Sequence, residues 1–70
     1  MNKQELLNAI GKYVAGLFDA DRQMVAINNA NFLKVALSDY IEIYGDDEDL
    51  KNKFGGKEYL EHKYNQFLFT

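Results

Sequence analysis

Cysteine, proline and tryptophan are absent from this chain of 70 residues. Histidine, arginine and serine occur once each, as His62, Arg22 and Ser38. These gaps remove most of the chemistry a small protein could carry. Without cysteine there is no disulfide and no thiolate ligand, and a lone histidine does not build a zinc site. Ser38 and His62 fall on polar faces of separate helical segments, and no nucleophile-elbow glycines flank the serine. Gly11-Lys12 runs into Tyr13 and Gly55-Gly56-Lys57 into Glu58, so neither is a phosphate-binding loop. A calcium loop begun at Asp19 has Met24 in its sixth place, and one begun at Asp47 has Asn52 there, where the motif needs glycine. Adjacent acids at a polar turn read as solvated, without the desolvation that tunes catalytic carboxylates. The expectation is a protein that is not an enzyme and that holds no cofactor and no metal.

Scarcity of arginine bears on partners. The tail interleaves Lys51, Lys53, Lys57 and Lys63 with Phe54, Tyr59 and Tyr64, yet Glu58 and Glu61 interrupt the basic set. The net charge of the chain is −3. Phosphate contacts supply most non-specific nucleic-acid affinity, and the basic footprint they require is missing. These aromatics read as core and these lysines as solvated, so no nucleic-acid partner is expected. No run approaches the roughly 20 apolar residues of a membrane span. The start, Met1-Asn2-Lys3-Gln4-Glu5, lacks the layout of a signal peptide. A soluble, cytoplasmic protein without membrane contact is the expectation.

What the chain does have is helical periodicity. Hydrophobic residues make up 47% and charged ones 27%, a globular composition for a single domain over residues 1–70. Asn2 followed by Glu5 is a capping-box pattern ahead of an apolar run. Leu6, Ile10, Tyr13, Val14 and Leu17 then recur at three- and four-residue steps, with Glu5, Asn8, Lys12 and Gly16 on the other side. A second stripe, Ala26, Ala30, Leu33, Leu37, Tyr40, Ile41 and Tyr44, keeps one phase as far as Gly45.

No Pro or Gly separates the two stripes, so phase decides their relation. At about 100° per residue they centre roughly 160° apart, and one rod would point them in nearly opposite directions. A reversal near Asp19-Ala20-Asp21, with Asp19 or Asp21 as N-cap, instead lets them face each other as a hairpin. Gly45 fits a C-cap and Asp46 a new N-cap, opening a short helix with Leu50 and Phe54 that Gly55-Gly56 ends. Leu60, Tyr64, Phe67 and Leu68 share one side of a last segment.

The sequence thus predicts an all-α bundle of three to four helices, about 3–18, 21–44, 47–54 and 57–68, built on an N-terminal helical hairpin. Two alternatives stand: a break at Asn28–Asn31, since Asn favours caps, and a short strand at Phe67–Phe69. Gly11 and Ala15 sit off the main stripe of the first helix. With Gly16, Gly11 makes that helix costly unless a close packing contact uses the small residues.

The acidic residues are unevenly placed. Asp39, Glu42, Asp46, Asp47, Glu48 and Asp49 all lie between Val35 and Leu50, with no cation among them. That segment carries −6, whereas residues 1–34 carry net +1 and residues 51–70 net +2. One explanation is local: a helix N-terminus favours acids through its caps and macrodipole. The other is a partner-binding surface for a protein with a basic face, since a polarised charge distribution bears on association. Two functional classes follow. The first is an adaptor or inhibitor docking a basic protein, for instance one that binds nucleic acid. The second is a structural or regulatory homodimer, because a core this small nets only about 3–5 kcal/mol and burial against a second copy is a usual remedy.

Overall fold

The computed structural model describes residues 2–19 and 23–68. It contains α1 (Lys3–Asp19), α2 (Gln23–Tyr44), α3 (Glu48–Phe54) and α4 (Lys57–Leu68), and no strand among the described residues. This is the all-α bundle that the periodicity predicts. No helix among the described residues is long and apolar enough to cross a membrane.

The capping box forms as spaced in the sequence. The Glu5 N–H donates to Asn2 Oδ1 at 2.8 Å and the Asn2 N–H to Glu5 Oε1 at 3.3 Å, which satisfies donors that open α1. Behind the cap, Leu6, Ile10 and Leu17 are buried while Tyr13 and Val14 are half-buried. Leu7 is buried too, although it lies beside the stripe. It lines a shallow depression with Asp49, Asn52 and Lys53, so α3 covers that flank of α1.

Helix α2 is the centre of the bundle, packed against α1 on one side and α4 on the other. It runs without interruption for 22 residues, about 33 Å at 1.5 Å per residue. The expected weak point at Asn28–Asn31 does not break it. Asn28 and Asn31 face solvent, and Asn29 turns its amide back along the helix, donating to Val25 O at 2.9 Å. The pairing of α1 with α2 is antiparallel. Leu6 shares a depression with Asp39, the Tyr13 and Phe32 rings lie 5.5 Å apart, and Gly16 lies against Asn29, so positions rise on one helix as they fall on the other. Ala20, Asp21 and Arg22, where the reversal and the candidate cap Asp21 belong, lie outside the described residues.

Gly45, at φ 74°, ends α2, and Gly55, at φ 90°, is the left-handed cap of α3, its N–H donating to Lys51 O at 2.9 Å. Helix α4 continues through Leu68 with Leu60 and Tyr64 buried, which corrects the strand alternative as far as Leu68; Phe69 lies outside the described residues. Ile10, Leu33, Tyr40, Leu50 and Leu60 are the fully buried centre, one or more from each helix. Tyr59, expected in the core, is instead 47% exposed.

The close contact in α1 belongs to Gly16, which the stripe analysis placed on the polar side. It is half-buried, and a Cβ there would stand 2.5 Å from Asn29 Cγ. Gly11 faces the Phe54 ring with room for a methyl group at ordinary contact distance, 3.4 Å. Gly16→Ala would therefore displace the Asn29 amide from Val25 O. We expect a double-mutant cycle with Asn29→Ala to be non-additive. In the Asn29→Ala background, Gly16→Ala should recover the ordinary helix preference for Ala, about 1 kcal/mol, and alone it should recover less. Additive urea-unfolding energies would contradict this contact.

Candidate functional site

The four acids between Gly45 and Leu50 do different work. Asp47 holds extended backbone (φ −88°, ψ 177°) and is the N-cap of α3, its Oδ1 accepting the Leu50 N–H at 3.1 Å. The same oxygen accepts the Tyr40 hydroxyl at 2.8 Å. Its other oxygen meets Lys3 Nζ at 2.8 Å, and Lys3 also reaches Asp49 Oδ2 at 2.7 Å. One carboxylate therefore joins α1, α2 and α3. The Lys3 ammonium lies 5.5 Å from the Tyr44 ring centre, and that ring packs 5.0 Å from Tyr40.

This geometry sets the protonation states. The Lys3 ammonium, helped by the Tyr40 hydroxyl and the Leu50 N–H, holds Asp47 at about 2 against the opposing cost of desolvation. Burial, then the adjacent Asp47 carboxylate, pushes Tyr40 up to about 12. The bonds that Lys3 donates to Asp47 and Asp49 raise it above the ordinary lysine value. Asp47 is thus not the solvated acid that a polar turn suggests.

The sequence gives the α3 cap to Asp46; the structure gives it to Asp47. Asp46 instead accepts the Lys57 N–H at 3.0 Å and so caps α4 from eleven residues upstream. Glu48 is exposed in the first turn of α3, where the helix dipole favours an acid. Much of the acidic run is therefore committed within the chain. Replacing Asp46, Asp47 and Asp49 together would remove two caps and the Lys3 bridge, and would report on stability before docking.

Asp39 and Glu42 are different. Both are exposed on α2, and neither has an ion-pair partner among the described residues. With Leu6 and Ile43 they line one shallow depression. A second depression, lined by Ala9, Tyr13, Phe32, Val35 and Ala36, shares Leu6 and Asp39 with the first. Phe32, Val35 and Ile43 are 54%, 61% and 61% exposed. A groove thus follows the α1/α2 seam, apolar at the Phe32 end and acidic at the Glu42 end. These apolar residues lie off the two core stripes, although they carry a periodic signal of their own. At 100° per residue, Val25, Phe32, Val35, Asp39, Glu42 and Ile43 share an arc of about 100° that is centred roughly 160° from the core stripe.

On the far side, Lys63 Nζ sits over the rings of Phe18 and Tyr59, 5.4 and 5.3 Å from their centres. Lys57 pairs with Glu61 at 3.1 Å, which raises the Lys57 pKa. His62 is exposed, its Nε2 accepting from the Gln66 amide at 3.2 Å. Among the described residues no three His or acidic side chains are grouped to hold a metal ion. No protein-family model matches the chain, and no curated protein or solved structure matches it either.

The shared carboxylate carries a pH signature with two opposite limbs. Asp47 has a folded value of about 2, below its ordinary 3.8, so its contribution is complete above pH 4 and is lost as pH falls toward 2. Tyr40 has a folded value of about 12, above its ordinary 10.0, so its contribution is complete below pH 10 and is lost as pH rises through 12. Thermal unfolding midpoints should fall in both windows. Asp47→Asn should flatten the acid limb. Tyr40→Phe should flatten the alkaline limb and cost about 1.5–3 kcal/mol at neutral pH, the usual loss for a hydrogen bond to a charged group. Unchanged limbs in these variants would contradict the assignment.

Proposed function

We propose that this chain is a small protein-interaction module, an adaptor or inhibitor, that docks the basic surface of a partner protein through the α2 face bearing Asp39 and Glu42. The observation that carries the reading is the pairing of those two acids with exposed Phe32, Val35 and Ile43. Asp46, Asp47 and Asp49 serve the chain's own caps and its bridge to Lys3; these two do not. A contiguous apolar patch rimmed by charge is the usual character of a docking surface. Acids at its edge would speed encounter with a basic partner and repel acidic ones. Where that partner binds nucleic acid, occupying its basic surface would exclude the nucleic acid. The reading involves no cofactor and places the module in the cytoplasm.

The exposed apolar side chains also favour a second reading, a homodimer closed across the same face. It is weaker, because a second copy of the groove would bring two more carboxylates and no cation.

Reversing Asp39 and Glu42 to Lys tests the proposal, since both are exposed and hold no cap. Circular dichroism and the unfolding midpoint should stay unchanged. Capture of the basic partner retained by the wild-type protein should fall by roughly tenfold or more, as like charges placed together cost several kcal/mol. Raising the salt concentration should weaken wild-type capture, because exposed charges are screened over about 8–10 Å. Undiminished capture by the double variant would remove the proposal. A dimer by sedimentation, lost when Val35 is changed to Asp, would favour the second reading.

A further inference from the structure

We infer that the α1/α2 groove receives one face of a basic amphipathic helix from the partner, its apolar side chains over Tyr13, Phe32 and Val35 and its Lys or Arg side chains at Asp39 and Glu42. This rests on the interaction reading above and gives that partner a shape.

Length, relief and charge all bear on the occupant. From Phe32 to Ile43 the groove follows α2 for roughly 17 Å, three helical turns. Its lining mixes small and large side chains, Ala9 and Ala36 with Tyr13, Phe32 and Val35. Small residues among larger ones leave room for an incoming side chain between two helices. The Tyr13 and Phe32 rings, 5.5 Å apart, supply a broad apolar wall at one end. Both acids stand at the other end, one and two turns beyond Val35. The occupant therefore needs apolar side chains on two turns and cations on the next two turns of the same face. Such spacing is the i, i+3, i+4, i+7 pattern of a helix seated in a groove.

Other occupants fit less well. Both walls are helices whose backbone groups bond within themselves, so no sheet edge is offered to an extended strand. Nucleic acid and anionic lipid would meet uncompensated carboxylates. A second copy would add carboxylates without a cation, as noted above.

The experiment uses the full chain and a fluorescein-labelled helical peptide with Leu on two turns and Arg on the next two turns of one face. Two controls carry the same residues scrambled, or Glu in place of Arg. Fluorescence anisotropy should give micromolar binding for the first peptide alone, with amide shifts concentrated at Ala9, Tyr13, Phe32, Val35 and Asp39. Val35→Asp, at an exposed position, should weaken binding by roughly tenfold or more, and so should the Asp39 and Glu42 reversal. Equal binding of the scrambled peptide, shifts centred elsewhere, or indifference to Val35→Asp would overturn the groove assignment. If every peptide fails while the charge reversal still abolishes capture of a folded basic partner, the helix-in-groove inference falls and the interaction reading survives. If the reversal also leaves capture intact, both fall. Self-association lost on Val35→Asp would give the groove to a second copy and overturn the inference.

Discussion

A carboxylate offers about four acceptor positions, and Asp47 fills three of them from three places in the chain. The Leu50 N–H comes from its own helix, the Tyr40 hydroxyl from near the end of α2, and the Lys3 ammonium from the start of α1. Tyr40 is fully buried. Its hydroxyl therefore needs a partner inside the fold, since an unsatisfied buried donor costs about 1–3 kcal/mol. Meeting that need fixes the loop after Gly45, and with it the start of α3. A seven-residue helix is marginal alone. This one is secured by its Asp47 cap, by Leu50 in the core and by Gly55 at its end. With Asp46 capping α4, the loop after Gly45 sets where both short helices begin.

The division of the acidic band follows from the same constraint. Charges engaged by caps and by Lys3 neutralise features of the fold, and are poor places to look for a partner. Asp39 and Glu42 lie a turn or more before the loop, on a side of α2 that neither α1 nor α4 fully covers. Beside them lie apolar side chains that the small core leaves in solvent. The central helix of a bundle with few layers has two packed sides and cannot bury a third. Among the described residues, that third side of α2 carries uncommitted charge together with uncommitted apolar surface.

Much of this was legible in sequence. The Asn2 and Glu5 capping box, the two stripes and the phase argument for a hairpin all rest on local spacing, and local spacing is what the folded helices obey. Their ends agree within about two residues. The choice between Asp46 and Asp47 was not legible, because Gly45-Asp46-Asp47 offers two equivalent caps. Side chains far away in sequence, Tyr40 and Lys3, decide between them. Leu7 and Ala36 lie beside their stripes and are buried all the same; a single-face reading of a helix misses a flank covered by a further neighbour. Gly16 likewise reads as polar-side until Asn29, thirteen positions on, is seen against it. The groove had a periodic signal of its own. It was hidden because Val25, Phe32, Val35 and Ile43 are separated by polar residues and because the stronger core stripe drew the assignment.

The central claim is that the acidic band divides between folding and docking. The most direct measurement takes Asp47→Asn and the Asp39→Lys, Glu42→Lys double variant side by side, recording for each the unfolding midpoint and the capture of a basic partner. The account expects a crossed result. Asp47→Asn should lower the midpoint and, at a temperature where it is folded, keep the partner, whereas the double variant should keep the midpoint and lose the partner. Loss of capture in the folded Asp47→Asn protein, with capture intact in the double variant, would contradict it.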